Sequence, residues 1–252
     1  MIVLKSGVIT ILFQAPGLKY FSRHLSVMSI SRRVIRDIEQ IMTDEMAALG
    51  IYYKPDEANM LKGTALIIGP DDTPYEGCPL LFSVEMSKEY PFKSPSVTFI
   101  TSDGVTRFHP NLYVGGKVCL SILGTYPGPS WSSAMNLTSV LMSILSLLTA
   151  NPITNEPSWE KHPYEGKAQM YAEWVQHRII CKTISDLVHG KDVFQEMSND
   201  TWKSKQLPKI MAIINKNLGE EKTYANIPYQ MGGTTHWNEI KEVLRKYVTS
   251  ST

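Results

Sequence analysis

One stretch of the chain combines, at short range, residue types that can carry covalent chemistry. His109, Pro110 and Asn111 precede Cys119, with Gly115, Gly116 and Lys117 between them. A cysteine acts as a nucleophile through its thiolate, which needs access and nearby positive charge. Glycines let the backbone turn so that a thiol is presented, Lys117 favours the thiolate, and the Asn111 amide can hold a loop or donate to an oxyanion. Against this stands the ordinary behaviour of a lone cysteine, which is that of a small buried hydrophobe. His109, beside a proline, reads as structural hydrogen-bonding support for the loop rather than as a general base. A cysteine-hydrolase pair is the competing chemistry. It needs a base with an orienting partner, and His162, His177, His189 and His236 lie in polar or helical contexts that supply neither convincingly.

The segment from Arg107 to Trp131 has no long periodic pattern and is rich in glycine, proline and asparagine, so it reads as an ordered loop that other elements must position. Before it, Ser29 to Ser31 can cap a helix whose apolar residues Ile30, Val34, Ile38, Ile41 and Leu49 fall largely on one face. Arg32, Arg33 and Arg36 then project mostly from the other side, as a solvated charge run does. Four β-rich runs follow, near Ile51 to Lys54, Met60 to Ile68, Leu80 to Met86 and Val97 to Thr101, separated by turn clusters at Pro70 to Gly77 and Pro91 to Pro95. Connections this short fit a four-stranded antiparallel meander and leave no room for crossover helices, which argues against a parallel α/β fold. After the loop, Leu137 to Thr149 is apolar nearly all round and reads as a buried helix, and Glu165 to Val188 as an amphipathic one. The fold class expected is therefore α+β. Past Gly190 the patterning weakens, with a last helix expected over Trp237 to Tyr247.

Composition narrows the function. The chain has 252 residues, 43% of them hydrophobic, enough for one sizeable core and an appendage. Its 25 basic and 24 acidic side chains leave a net charge of +1, which gives no support to nucleic-acid binding. Cys78, Cys119 and Cys181 are odd in number and far apart, which suits neither a disulfide framework nor a zinc knuckle with close ligand pairs. A reducing compartment, cytoplasm or nucleus, is the simpler setting. Residues 1–28 carry a short apolar run and basic residues without an acid, which reads as a poorly ordered extension, with a mitochondrial-type leader as the alternative. No apolar stretch is long enough to span a membrane. The division expected is an extension over 1–28, a main domain over 29–190, and a partly helical C-terminal extension over 191–252.

The string HPNLYVGGKVCLSIL over His109 to Leu123 resembles the active-site stretch of the ubiquitin-conjugating enzymes. So do GPDDTPYEG at Gly69 to Gly77, EYPFKSPSVTF at Glu89 to Phe99, Trp131-Ser132-Ser133-Ala134 where the family usually has Trp-Ser-Pro-Ala, and an apolar helix that ends in LTANP. The GTYPGPSW insertion at Gly124 to Trp131 and the long C-terminal extension are similar to large members of that family.

The resemblance implies that Cys119 accepts ubiquitin, or a ubiquitin-like modifier, from an activating enzyme and passes it to lysines of protein substrates, usually with a RING or U-box ligase. It implies no cofactor, since ATP is used upstream. Asn111 would support the oxyanion or the loop. Many family members have an aspartate near Thr154 and Asn155, so Glu156 is the nearest substitute as the acid that helps deprotonate the amine. Phe92, Ser133 and Ala134 would face the ligase, with Ser133 standing in for the usual proline, and Arg32, Arg33 and Arg36 the activating enzyme. An inactive binding module of the same fold and a cysteine hydrolase are the other readings.

Overall fold

The computed structural model describes residues 2–5, 8–11, 24–26, 32–159, 166–190 and 200–250. Within the N-terminal segment expected to be a poorly ordered extension, the described backbone pairs as a three-stranded antiparallel sheet of β1 (Ile2–Lys5), β2 (Val8–Ile11) and β3 (His24–Ser26).

Helix α1 (Arg32–Ile41) buries Val34, Asp37, Ile38 and Ile41, the stripe that its apolar spacing dictates. The expected cap at Ser29 to Ser31, and Ile30 with it, lies outside the described residues. The helix does not run on to Gly50. A second short helix, α2 (Asp44–Ala48), restarts at Thr43, whose hydroxyl accepts the Met46 N–H at 3.4 Å. This break turns Leu49 outward, and it is 48% exposed instead of sharing the buried face.

The four expected strands are present as β4 (Ile51–Pro55), β5 (Lys62–Ile68), β6 (Pro79–Glu85) and β7 (Ser96–Phe99), in sequential antiparallel order. Alternate residues of β4 point into the core, as a sheet covered on one face requires. The registers Ile51↔Ile67, Ile67↔Leu80 and Phe82↔Phe99 bring large apolar side chains alongside one another. Helix α3 (Leu137–Leu147) starts at a reciprocal cap, where the Asn136 side chain accepts the Ser139 N–H at 2.8 Å and Ser139 Oγ accepts the Asn136 N–H. It buries Leu137, Val140, Leu141, Ile144 and Leu147 against α1 and β5, while Met142 is 39% exposed, so the helix is buried on one side only.

Helix α4 (Gly166–Val188) buries Tyr171, Trp174, Val175, Ile179, Ile184 and Leu187, the residues its spacing predicts. The C-terminal region then adds α5 (Asp200–Lys205), α6 (Leu207–Lys216), the hairpin β8 (Thr223–Ile227) and β9 (Met231–Thr234), and α7 (Trp237–Ser250). Trp202, Ile210, Ile214, Trp237, Ile240 and Leu244 belong to the same buried cluster as the residues of the sheet and of α4. Trp202 Nε1 donates to the Gly77 carbonyl at 3.0 Å, which ties α5 to the turn after β5. Burying side chains of this size contributes about 1.5–3 kcal/mol each, so the C-terminal region adds substantially to the common core.

Candidate functional site

The loop carrying Cys119 is built on β7. Phe99 N–H donates to the Gly116 carbonyl at 2.8 Å, and Tyr113 and Lys117 close a tight turn through the Tyr113 N–H to Lys117 carbonyl bond at 2.9 Å. Gly116 sits at φ 91°, where a Cβ would lie 2.8 Å from Thr98 Cγ2 and 3.0 Å from the Phe99 carbonyl, so only glycine fits.

The turn returns the chain alongside Asn111. Cys119 N–H donates to the Asn111 carbonyl at 2.8 Å, and Asn111 Nδ2 donates to the Cys119 carbonyl at 2.7 Å. Backbone and side chain of one asparagine thus hold both polar groups of the cysteine's main chain. Asn111 Oδ1 is buried without a hydrogen-bond partner, a cost that fixes no fold contact. His109 is fully buried, and both ring nitrogens are committed: Nδ1 accepts the Asn111 N–H at 2.9 Å, which leaves Nε2–H to donate to the Leu147 carbonyl at 3.0 Å. Burial lowers its pKa to about 3, so the imidazole is neutral. It pins the loop to the end of α3 and is not placed to take a proton. Lys117 is exposed, with its ammonium 5.5 Å from the Tyr113 ring centroid.

Arg107 braces the same loop, a role the sequence reading missed. Its Nε donates to the His109 carbonyl at 3.1 Å, its Nη2 donates to the Pro110 carbonyl, and its guanidinium lies 3.2 Å from the Tyr113 ring centroid. A cation two residues before the histidine was the available signal. The Phe108 carbonyl accepts Tyr75 Oη at 2.7 Å, and the Arg107 carbonyl accepts Tyr171 Oη at 2.8 Å.

Glu156 follows the 3-10 turn Pro152–Asn155, whose Asn155 Nδ2 lies 3.4 Å from His109 Nε2. Its carboxylate accepts Tyr229 Oη at 2.6 Å, a partner from the C-terminal hairpin.

Phe92, Ser133 and Ala134 form a second, separate surface. Phe92 is 82% exposed, and Ser133 and Ala134 are exposed too. Trp131 Nε1 donates to the Pro91 carbonyl at 2.7 Å and its ring lies 5.9 Å from that of Tyr90, which holds the two loops side by side. Arg32 and Arg36 are exposed on α1. Arg33 differs from the solvated reading: it pairs with the buried Asp37 at 2.8 Å and donates to the carbonyls of Ser133 and Met135. It is a strut between α1 and the 131–136 loop. Asp37 also accepts Tyr90 Oη, which completes the link to the Phe92 turn. Among the described residues no cluster of His, Cys, Asp or Glu has the makings of a metal site.

Cys119 is 5% exposed, so the glycine-rich turn does not bring the thiol out to the surface as the sequence suggests. A four-stranded meander whose loop locks one cysteine to an asparagine eight residues earlier nevertheless fits one known class. The chain belongs to the ubiquitin-conjugating enzyme family, whose family model matches residues 33–178. It is 44% identical over 160 residues to ubiquitin-conjugating enzyme E2 Z of Homo sapiens, a match that covers 63% of this chain and 45% of that protein. The same enzyme of Danio rerio is also 44% identical over 160 residues, with 48% of its length covered. Ubiquitin-conjugating enzyme E2 1 of Caenorhabditis elegans is 36% identical over 146 residues, covering 58% of this chain and 71% of the relative. The chain thus spans less than half the length of the E2 Z proteins of man and zebrafish.

Proposed function

We propose that this chain carries ubiquitin, or a ubiquitin-like modifier, as a thioester on Cys119 and transfers it to substrate lysines. The observation that carries this reading is the reciprocal pair of hydrogen bonds between Asn111 and Cys119. In the first step the Cys119 thiolate attacks the thioester on an activating enzyme, and that enzyme's thiolate leaves. In the second, a lysine amine attacks the Cys119 thioester through a tetrahedral oxyanion. The amine loses a proton, the Cys119 thiolate departs, and an amide bond to lysine remains. ATP is used upstream, so no cofactor is required here. Three free thiols support a reducing compartment, cytoplasm or nucleus, as the proposed setting. The test is to mix the protein with activating enzyme, ATP and ubiquitin: a reducible adduct supports the reading. Lack of an adduct favours a binding module, and cleavage of a ubiquitin conjugate favours a hydrolase.

The Phe92, Ser133 and Ala134 surface is proposed to receive a RING or U-box ligase, with Phe92 as its aromatic anchor. Because the side chain is exposed, Phe92→Ala should leave folding and charging intact. Loss of an anchor worth about 2 kcal/mol should cut ligase-stimulated discharge roughly 30-fold. Unchanged stimulation with every ligase tested would remove Phe92 from the interface. Arg32 and Arg36 remain available to steer the activating enzyme by charge, whereas Arg33 is held by its own fold.

An incoming lysine must lose a proton, and Glu156 is proposed to assist. Glu156→Gln should slow discharge to free lysine by about 10²-fold at neutral pH, with recovery as the pH rises and more amine is neutral. Charging should not change. Equal discharge by mutant and wild type across the pH range would rule Glu156 out and leave desolvation as the device.

A further inference from the structure

The hairpin tip between β8 and β9 meets the active-site region at three points. Tyr229 Oη donates to Glu156 at 2.6 Å, the Tyr229 ring lies 4.9 Å from the Arg107 guanidinium, and Met231 Sδ accepts the Arg107 N–H at 3.2 Å. The Tyr229 ring also meets Tyr171 edge-on at 5.9 Å. Tyr229 and Gln230 adopt φ 62° and φ 57°, a left-handed conformation that is costly for a bulky aromatic and persists only where surrounding contacts impose it. The contacts that impose it are those to Glu156, Arg107 and Tyr171. Arg107 in turn holds the carbonyls of His109 and Pro110, one residue from Asn111.

We propose that Tyr229 is a positioning residue for lysine attack, through which the C-terminal hairpin fixes the Glu156 carboxylate and steadies the Arg107 brace of the Cys119 loop. The inference rests on the proposed transfer activity and gives the C-terminal region a part in it. Charged and titratable groups around the Tyr229 hydroxyl are Glu156, Arg107, Tyr113, Tyr75 and Tyr171. Burial first, and then the bond to Glu156, raise the phenol far above neutrality, so it remains a donor throughout the useful pH range. The hydroxyl therefore leaves one Glu156 oxygen for other work and restricts where the carboxylate can sit.

The experiment uses the full chain charged with ubiquitin and follows discharge to free lysine and to hydroxylamine, a nucleophile already neutral at neutral pH. Tyr229→Phe keeps the ring on Arg107 and loses only the bond to Glu156. It should charge normally, discharge to lysine about five- to tenfold more slowly at neutral pH, recover at high pH, and react normally with hydroxylamine. Its effect should vanish in a Glu156→Gln background, a non-additivity that a general loss of stability would not produce. Tyr229→Ala also frees Arg107 and should be slow with both nucleophiles. If Tyr229→Phe charges normally but discharges to lysine at the wild-type rate, or if its defect simply adds to that of Glu156→Gln, the proposal is overturned. If the wild type itself forms no reducible adduct, the transfer reading falls and this inference with it.

Discussion

Cys119→Ser should abolish the reducible adduct and replace it by an ester that survives thiol reductants, while Cys78→Ser and Cys181→Ser charge as the wild type does. The difference follows from where the three sulfurs sit. Burial pushes the Cys78 thiol up to about 12 and the Cys181 thiol up to about 11, so neither supplies thiolate near neutral pH. Cys78 lies in the core immediately before β6, and Cys181 lies on α4 beside His177, whose own pKa burial lowers to about 4. Cys119 is itself only 5% exposed, but it alone sits in the loop that Asn111, His109 and Arg107 build. An oxygen ester is a poorer acyl donor than a thioester, so serine should trap the modifier and hold it. Loss of charging in Cys78→Ser or Cys181→Ser, with the fold intact by circular dichroism, would mean that another thiol carries the chemistry.

Asn111→Ala should slow discharge to lysine by a factor of hundreds or more, and the defect should persist at high pH. Two effects combine here. Losing one oxyanion donor costs about 3–4 kcal/mol of transition-state stabilisation. The same substitution also leaves the Cys119 carbonyl without its side-chain donor, which frees the thioester-bearing residue to move. Neither loss is repaired by supplying neutral amine, so the pH profile separates Asn111→Ala from Glu156→Gln. The check is single-turnover discharge of pre-charged protein between neutral and alkaline pH. Recovery of Asn111→Ala at high pH would reassign the asparagine to proton removal.

What could be read in the sequence was set by local periodicity and by chemistry concentrated in one short stretch. The strands β4 to β7 announce themselves by β-branched runs between proline and glycine turns, and the four found lie within a residue or two of those expected. Asn111 and Cys119 are eight residues apart, and the loop that joins them is rich in glycine, so their meeting was legible as well. Contacts between distant segments were not. Arg33 reads as one of three solvated arginines because the carbonyls that claim it lie at Ser133 and Met135, about a hundred residues on. Tyr229 gives no signal for the same reason: its partner Glu156 is 73 residues earlier, and its hairpin also breaks the alternation of a strand. Gly233, at φ 144°, owes its place to Trp174, since a Cβ there would lie 2.7 Å from the indole Cη2. Such a strand is specified by the helix it packs on and carries little β-propensity of its own. Leu49 matches the stripe of α1 in spacing, but the helix breaks before Thr43, where a side-chain cap starts a new helix.

The most direct measurement is to charge the wild-type chain with activating enzyme, ATP and ubiquitin, isolate the adduct under non-reducing conditions, and locate the linkage by mass spectrometry. The account predicts a single adduct that reductant removes, attached through the sulfur of Cys119. An adduct that resists reductant in the wild type, or one attached to Cys78, Cys181 or a lysine in place of Cys119, would contradict it.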